Sequence, residues 1–255
     1  MHTGADVSTG TPGPRPGGAD GPDPSGGTLP AVLVFSRTTD YRHDSIPAGV
    51  AAFRELGDEH GFQVDATEDQ GVFTEESLAR YVALVFLSTS GDVLDDTGRA
   101  ALEGHVRGGG GFVGVHSAAC TEPGWPFFGD LVGARFTDHP EIQTAALTVE
   151  DHGHPATRHL PPLWTWTDEW YNFAANPRPD VRVLASVEEG RYQGGTMGAD
   201  HPLVWCRPVG AGRSFYTALG HCEEAYRTPE FRLHLLGGLA WAARLANAGP
   251  DDSSA

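Results

Sequence analysis

The chain has 255 residues and a formal net charge of −17, and all 17 of its basic residues are arginine because it contains no lysine. So acidic a surface repels phosphate backbones and argues against nucleic acid as a partner. The missing amine excludes Schiff-base chemistry, pyridoxal phosphate attachment, a P-loop lysine and a Ser–Lys dyad.

Residues 1–28 are Gly, Pro, Ser, Thr and Asp with almost no apolar residue, a composition that reads as a disordered arm. They lack the basic start and apolar stretch of a secretory signal, and no apolar run approaches the roughly 20 residues of a membrane helix. The expected location is the cytoplasm, with no membrane partner. Cys120, Cys206 and Cys222 are odd in number and form no CxxC pair, which fits reduced thiols. One domain is expected over residues 29–248, followed by a flexible tail at 249–255.

The elements then alternate as in an α/β domain. AVLVFS, Ala31 to Ser36, is a continuously apolar run, as expected of a parallel strand covered on both faces. The loop RTTDYRHDS leads into a helix, IPAGVAAFRELGDEHG, which Asp44 or Ser45 can cap, Pro47 can open and Gly61 can end. FQVDATED reads as a second strand, TEESLARY as a short helix, ALVFLST as a third strand, TGRAALEGHVRGG as a helix and GFVGVH as a fourth strand. Beyond Gly133 the strands AALTVED, VRVLASVEE, PLVWCRPVG and GRSFYTALG follow without long helices between them, which predicts antiparallel additions to the sheet. A final helix, opened by Thr228 and Pro229, places Phe231, Leu235, Leu236 and Leu239 at core spacing.

Ligands of parallel sheets bind at the carboxyl ends of the strands, so polar residues there are the candidates for chemistry. GGGGFVGVHSAAC, Gly108 to Cys120, has the layout of a nucleophile elbow, in which small residues let a strand turn sharply into a helix. Its tip carries His116 rather than serine or cysteine. A neutral imidazole at this position can serve as general acid or base, or as a metal ligand. Ser117 is the weaker candidate, because Val115 and Ala119 stand where a Gly-x-Ser-x-Gly pattern needs glycine.

At the end of the first strand, RHDS offers His43, Asp44 and Ser45 at a helix start, receptive to an anion or a sugar hydroxyl. YTALGHCEE places His221 after a strand, with Glu223 and Glu224 as candidates to orient it. DEWYNF sets Glu169 beside Trp170 and Tyr171, a combination suited to carbohydrate: rings cover the apolar face of a sugar and carboxylates accept its hydroxyls. His139 in TDHPEI completes the set. A divalent metal is the one cofactor candidate, with His43, His116, His139 and His221 as available ligands, although no HExxH or comparable short spacing occurs.

Together YRHDSIPAG, GGGGFVGVHSA, DHPEI, DEWYNF and HPLVWCRPVGAGRSFYTALGH resemble the ThuA-like (trehalose utilisation) family from about Leu33 to Ala242. The resemblance implies a class I glutamine amidotransferase-like fold: a flavodoxin-like, three-layer α/β sandwich with a mostly parallel central sheet and antiparallel additions. In that superfamily the elbow carries a catalytic cysteine within Gly-x-Cys-x-Gly, where this chain has Gly114, Val115, His116, Ser117 and Ala118. Glutamine amidotransfer therefore lacks its nucleophile here. What the resemblance implies instead is a role in the metabolism of trehalose or related disaccharides through 3-keto derivatives. The expected catalytic residues are His116, His221 and Glu169, and the expected substrate-binding residues are His43, Asp44, Ser45, Ser117, His139, Trp170 and Tyr171. A small carbohydrate is the expected partner, with a second copy of the chain as a further candidate. A non-catalytic sugar-binding module and an amidase or esterase using Ser117 are the alternatives.

Overall fold

The computed structural model describes residues 1, 2, 4 and 29–245, so most of the expected arm and all of the expected tail lie outside the described residues. Strand β1, Ala31–Phe35, is apolar throughout and buried from Val32 onward, with both faces covered. Helix α1, Ile46–His60, starts with Pro47 in its first turn and stops at Gly61, whose φ of 77° suits a residue without a Cβ. Its start differs from the expectation. Neither Asp44 nor Ser45 caps it through a side chain; the Ser45 hydroxyl donates instead to the Gly220 carbonyl at 3.3 Å.

Strand β2 (Gln63–Thr67), the single-turn helix α2 (Glu75–Leu78), strand β3 (Tyr81–Leu87), helix α3 (Asp96–Arg107) and strand β4 (Gly111–Val115) complete the alternating half. After helix α4 (Pro126–Val132) come β5 (Phe136–Asp138), β6 (Gln143–Val149), β7 (Leu163–Asp168), β8 (Asn172–Phe173), β9 (Arg182–Val187), β10 (Pro202–Val209), β11 (Gly212–Thr217) and helix α5 (Pro229–Ala243). Nine strands form one mixed sheet in the order β2-β1-β3-β4-β11-β10-β9-β6-β7, and β5 pairs with β8 separately.

Strands β2, β1, β3, β4 and β11 are parallel, whereas β10, β9, β6 and β7 are antiparallel to their neighbours. The expectation that GRSFYTALG is an antiparallel addition needs correcting. The hairpin from β10 reverses the chain, so β11 lies antiparallel to β10 and parallel to β4. Burial follows the same division: β4 is buried at every residue, while β7 alternates exposed and buried as a strand with one wet face does.

Phe231, Leu235 and Leu239 of α5 are fully buried. His234 of the same helix is buried too, as are His154 and His201. The carboxyl ends of β1, β3, β4 and β11 converge on one side of the sheet. Because the chain runs from β1 to β2 on one flank and returns to β3 on the other, this is the switch-point crevice where open α/β sheets hold ligands.

Candidate functional site

His116 follows β4 directly and has a φ of 53°, a conformation that a residue with a Cβ adopts only when its surroundings enforce it. Here they do. Its carbonyl accepts from the Tyr216 hydroxyl at 2.8 Å, and its Nδ1 donates to the Ala218 carbonyl at 2.7 Å. The second bond sets the neutral tautomer: Nδ1 holds the proton and Nε2 carries the lone pair. Nε2 accepts from the Tyr171 hydroxyl at 2.8 Å and lies 3.1 Å from Nε2 of His43 and 3.4 Å from Oε2 of Glu169.

His43 comes from the loop after β1 and is buried, with Nδ1 3.3 Å from the Ser117 hydroxyl. Burial, and then the neighbouring His116 and His221 rings, push its pKa down to about 3, so it is neutral at pH 7. His221 comes from the turn after β11. Its Nδ1 is buried and lies 3.0 Å from Oε2 of Glu169, but without the alignment of a hydrogen bond. Burial opposes charge on His221, and the Glu169 carboxylate outweighs it and raises the pKa. Burial likewise works against ionisation of Glu169, yet His116 and His221 hold its carboxyl below the usual range.

The turn that presents His221 is held from beneath by Asp168, which is buried at the end of β7. Its two oxygens accept from Trp166 Nε1 at 2.9 Å and from the backbone N–H groups of Glu169, Gly220 and His221 at 3.0, 2.8 and 3.1 Å. Gly220 has a φ of 115°, and a Cβ there would stand 2.8 Å from the Tyr226 hydroxyl, so the turn requires glycine. Glu223 and Glu224, the expected orienting groups, are exposed; the carboxylate beside the His221 ring belongs to Glu169.

Above this cluster opens a cavity of about 670 Å³, the size of a small-ligand site. His43, Ser117, His139, Glu169 and Tyr171 line it. Tyr171 stacks on His139 and packs against Phe136, while Nε2 of His139 stands 3.5 Å from Oε1 of Glu169. Of the expected site residues, Asp44 is exposed, Ser45 is buried against Gly220, Trp170 is fully buried with Nε1 unpartnered, and His116 and His221 lie behind Tyr171 and Glu169; none of these five lines the cavity. Sequence reading missed Tyr41, Arg135 and Phe136 in the lining, and Asp168 beneath it. Asp168 lies within the quoted DEWYNF, where its neighbour Glu169 drew the attention.

The profile of the family described as trehalose utilisation, ThuA, matches residues 31–242. The chain belongs to the ThuA family. A ThuA-like protein from Bacteroides uniformis superposes with a TM-score of 0.72 at 27% identity, covering 85% of this chain and 93% of that one. A second ThuA-like protein, from Parabacteroides merdae, gives 0.71 at 21% identity over 85% and 90% of the two chains. The β-galactosidase of Bacillus circulans shares the fold over 82% of the ThuA-family chain and 30% of its own, with a TM-score of 0.53 and 12% identity. No curated protein matches. Among the described residues no helix is long and apolar enough to cross a membrane.

Proposed function

We propose that this ThuA-family chain is a cytoplasmic enzyme acting on a 3-keto glycoside, such as a keto derivative of trehalose or a related disaccharide, with His116 as its acid-base group. The observation that carries this reading is the state of His116 Nε2. Nδ1 is committed to the Ala218 carbonyl, so the lone pair on Nε2 is directed at the Tyr171 hydroxyl and Glu169, the lining residues that stand between the buried ring and the cavity. A ketone at C3 acidifies the neighbouring C2–H. Removal of that proton places electron density between C2 and C1, the C1–O bond breaks, and the departing oxygen takes up a proton.

The Tyr171 hydroxyl, whose pKa burial raises well above the ordinary value, stays protonated and suits the donor role. Phe136, half-buried in the lining, offers an apolar ring to a sugar. The free thiols of Cys120, Cys206 and Cys222 fit a reducing compartment.

The test is an NMR time course of untagged protein with 3-keto-trehalose and other 3-keto glucosides, run beside His116→Ala. Product from the wild type alone supports the reading. Line broadening without product makes the chain a sugar-binding module, and equal turnover by the variant removes His116 from the chemistry.

A further inference from the structure

The donor atoms of His43, His116, Glu169 and His221 all lie within 4.8 Å of one another, and hydrogen bonding explains only part of that arrangement. In the neutral ring, Nε2 of His116 carries a lone pair that faces the carboxylate oxygen Oε2 of Glu169 at 3.4 Å, and Nε2 of His43, 3.1 Å away, donates to it in one tautomer and turns a second lone pair to the same point in the other. Nδ1 of His221, buried and without a hydrogen bond, is aimed at the same Oε2 from 3.0 Å. Lone pairs turned toward one another repel unless protons or a cation stand between them. The Tyr171 hydroxyl supplies one proton to the group.

We infer that His43 Nε2, His116 Nε2, His221 Nδ1 and Glu169 Oε2 form a binding site for one divalent transition-metal ion of the zinc class. Metal–nitrogen distances of about 2.0 to 2.1 Å in a tetrahedral site put neighbouring ligand atoms about 3.4 Å apart. The closest pairs here stand at 3.0, 3.1 and 3.4 Å. Three imidazoles and one carboxylate suit zinc, iron, nickel or copper rather than magnesium or calcium, which take oxygen ligands.

The supporting contacts are those that orient metal-bound histidines: the second nitrogen of His116 donates to a backbone carbonyl, and that of His43 meets the Ser117 hydroxyl. Asp168 holds the backbone of both Glu169 and His221. The ligands follow the ends of β1, β4, β7 and β11, so the folded sheet assembles the site without any short sequence spacing.

The use of the ion, though not its binding, rests on the keto-glycoside reading. His43, His116, His221 and Glu169 would hold the ion, and its chemistry there would be Lewis-acid polarisation of the substrate's C3 ketone, with the ketone as an added ligand. With the ion bound, Nε2 of His116 would serve as a ligand, and the acid-base role proposed above for His116 would pass to the pair on the cavity side, Oε1 of Glu169 and Nε2 of His139, 3.5 Å apart.

The test uses the untagged full chain stripped with a chelator and dialysed. Titration with Co²⁺ is followed by visible absorption, Zn²⁺ competition gives the affinity, and circular dichroism checks the fold of each variant. One tightly bound ion per chain, a four-coordinate cobalt spectrum, and at least a 100-fold loss of affinity in folded His221→Ala are expected, with His152→Ala unchanged as the control for adventitious histidine binding. Absence of a cobalt band, or equal affinity in His221→Ala and wild type, overturns the site. Should His221→Ala fail to fold, His43→Gln provides the same comparison. Turnover is assayed separately on stripped protein. Full activity of stripped protein overturns the metal while leaving the keto-glycoside reading standing; stoichiometric metal with no turnover of any keto glycoside does the reverse.

Discussion

Nε2 of His43 and Nε2 of His116 lie 3.1 Å apart, although the Ala218 carbonyl has already taken the one proton that a neutral His116 ring holds. The His116 ring is therefore an acceptor toward Tyr171 and Glu169, which line the cavity, and its backbone is held at a φ of 53° to aim it there. His116→Asn tests the two properties separately, because asparagine tolerates the left-handed region but has no titratable ring. We expect turnover to fall by about 10²- to 10⁴-fold while the melting temperature stays within a few degrees. His116→Val, β-branched at the same φ, is expected to lower the melting temperature clearly. Equal melting temperatures for the two variants would show that the backbone there is under no constraint.

Asp168 acts at one remove, through the turn that carries His221. Asp168→Ala leaves four buried N–H groups without their acceptor, at a cost of about 3 kcal/mol or more. For a domain of this size that is a drop of roughly 6 to 12 °C in melting temperature. Asp168→Asn keeps a carbonyl acceptor and should recover part of the stability. A purely structural role would leave kcat intact well below the melting temperature; a positioning role lowers kcat in both variants.

The parallel half of the fold was legible because β1, β3 and β4 are continuously apolar and separated by helical periodicity. β11 was not, since its parallel partner β4 lies about 100 residues earlier and nothing local distinguishes a strand pairing on one side from one pairing on both. β7 left a period-two signal in LWTWTD that the surrounding aromatics masked. The site's residues could be named from strand tips, but not their convergence: His43 and His116 meet across 73 positions, and Asp168 and His221 across 53. Asp44 and Trp170 have the right neighbours in sequence but not in space. Tertiary packing turns one out to solvent and seals the other in the core.

Neither the Ser117 hydroxyl nor the Cys120 thiol is poised to react as a nucleophile. Among the described residues, the ring nitrogen hydrogen-bonded to the Ser117 hydroxyl is Nδ1 of His43, whose pKa of about 3 makes it a poor base, and its other nitrogen faces His116 rather than a carboxylate. Burial, with Asp40 and Glu169 nearby, pushes the Cys120 thiol up to about 12, so little thiolate exists at pH 7. We expect no modification of Ser117 by a fluorophosphonate and slow alkylation of Cys120 by iodoacetamide under native conditions. Stoichiometric labelling of Ser117 by mass spectrometry would restore the esterase or amidase alternative.

His234 sets a pH dependence outside the site. It is fully buried on α5, with Nδ1 donating to the Ala156 carbonyl at 2.8 Å and Nε2 accepting from the Thr217 hydroxyl at 3.1 Å, so the neutral ring is satisfied. Burial pushes its pKa down to about 4, against the ordinary 6.5 it regains in the unfolded chain. Between these values the unfolded state binds more protons than the folded one, so stability rises with pH. His234's contribution is complete above pH 6.5 and is lost as the pH falls toward 4, by about 2 kcal/mol at pH 4.5. His234→Gln removes the titration and keeps hydrogen-bonding atoms. Urea unfolding at pH 7.0, 5.5 and 4.5 should show the wild type losing more stability on acidification than the variant by about that amount. Identical losses would mean that His234 accepts its proton inside the folded protein as easily as in the unfolded one, and that its burial carries no linkage.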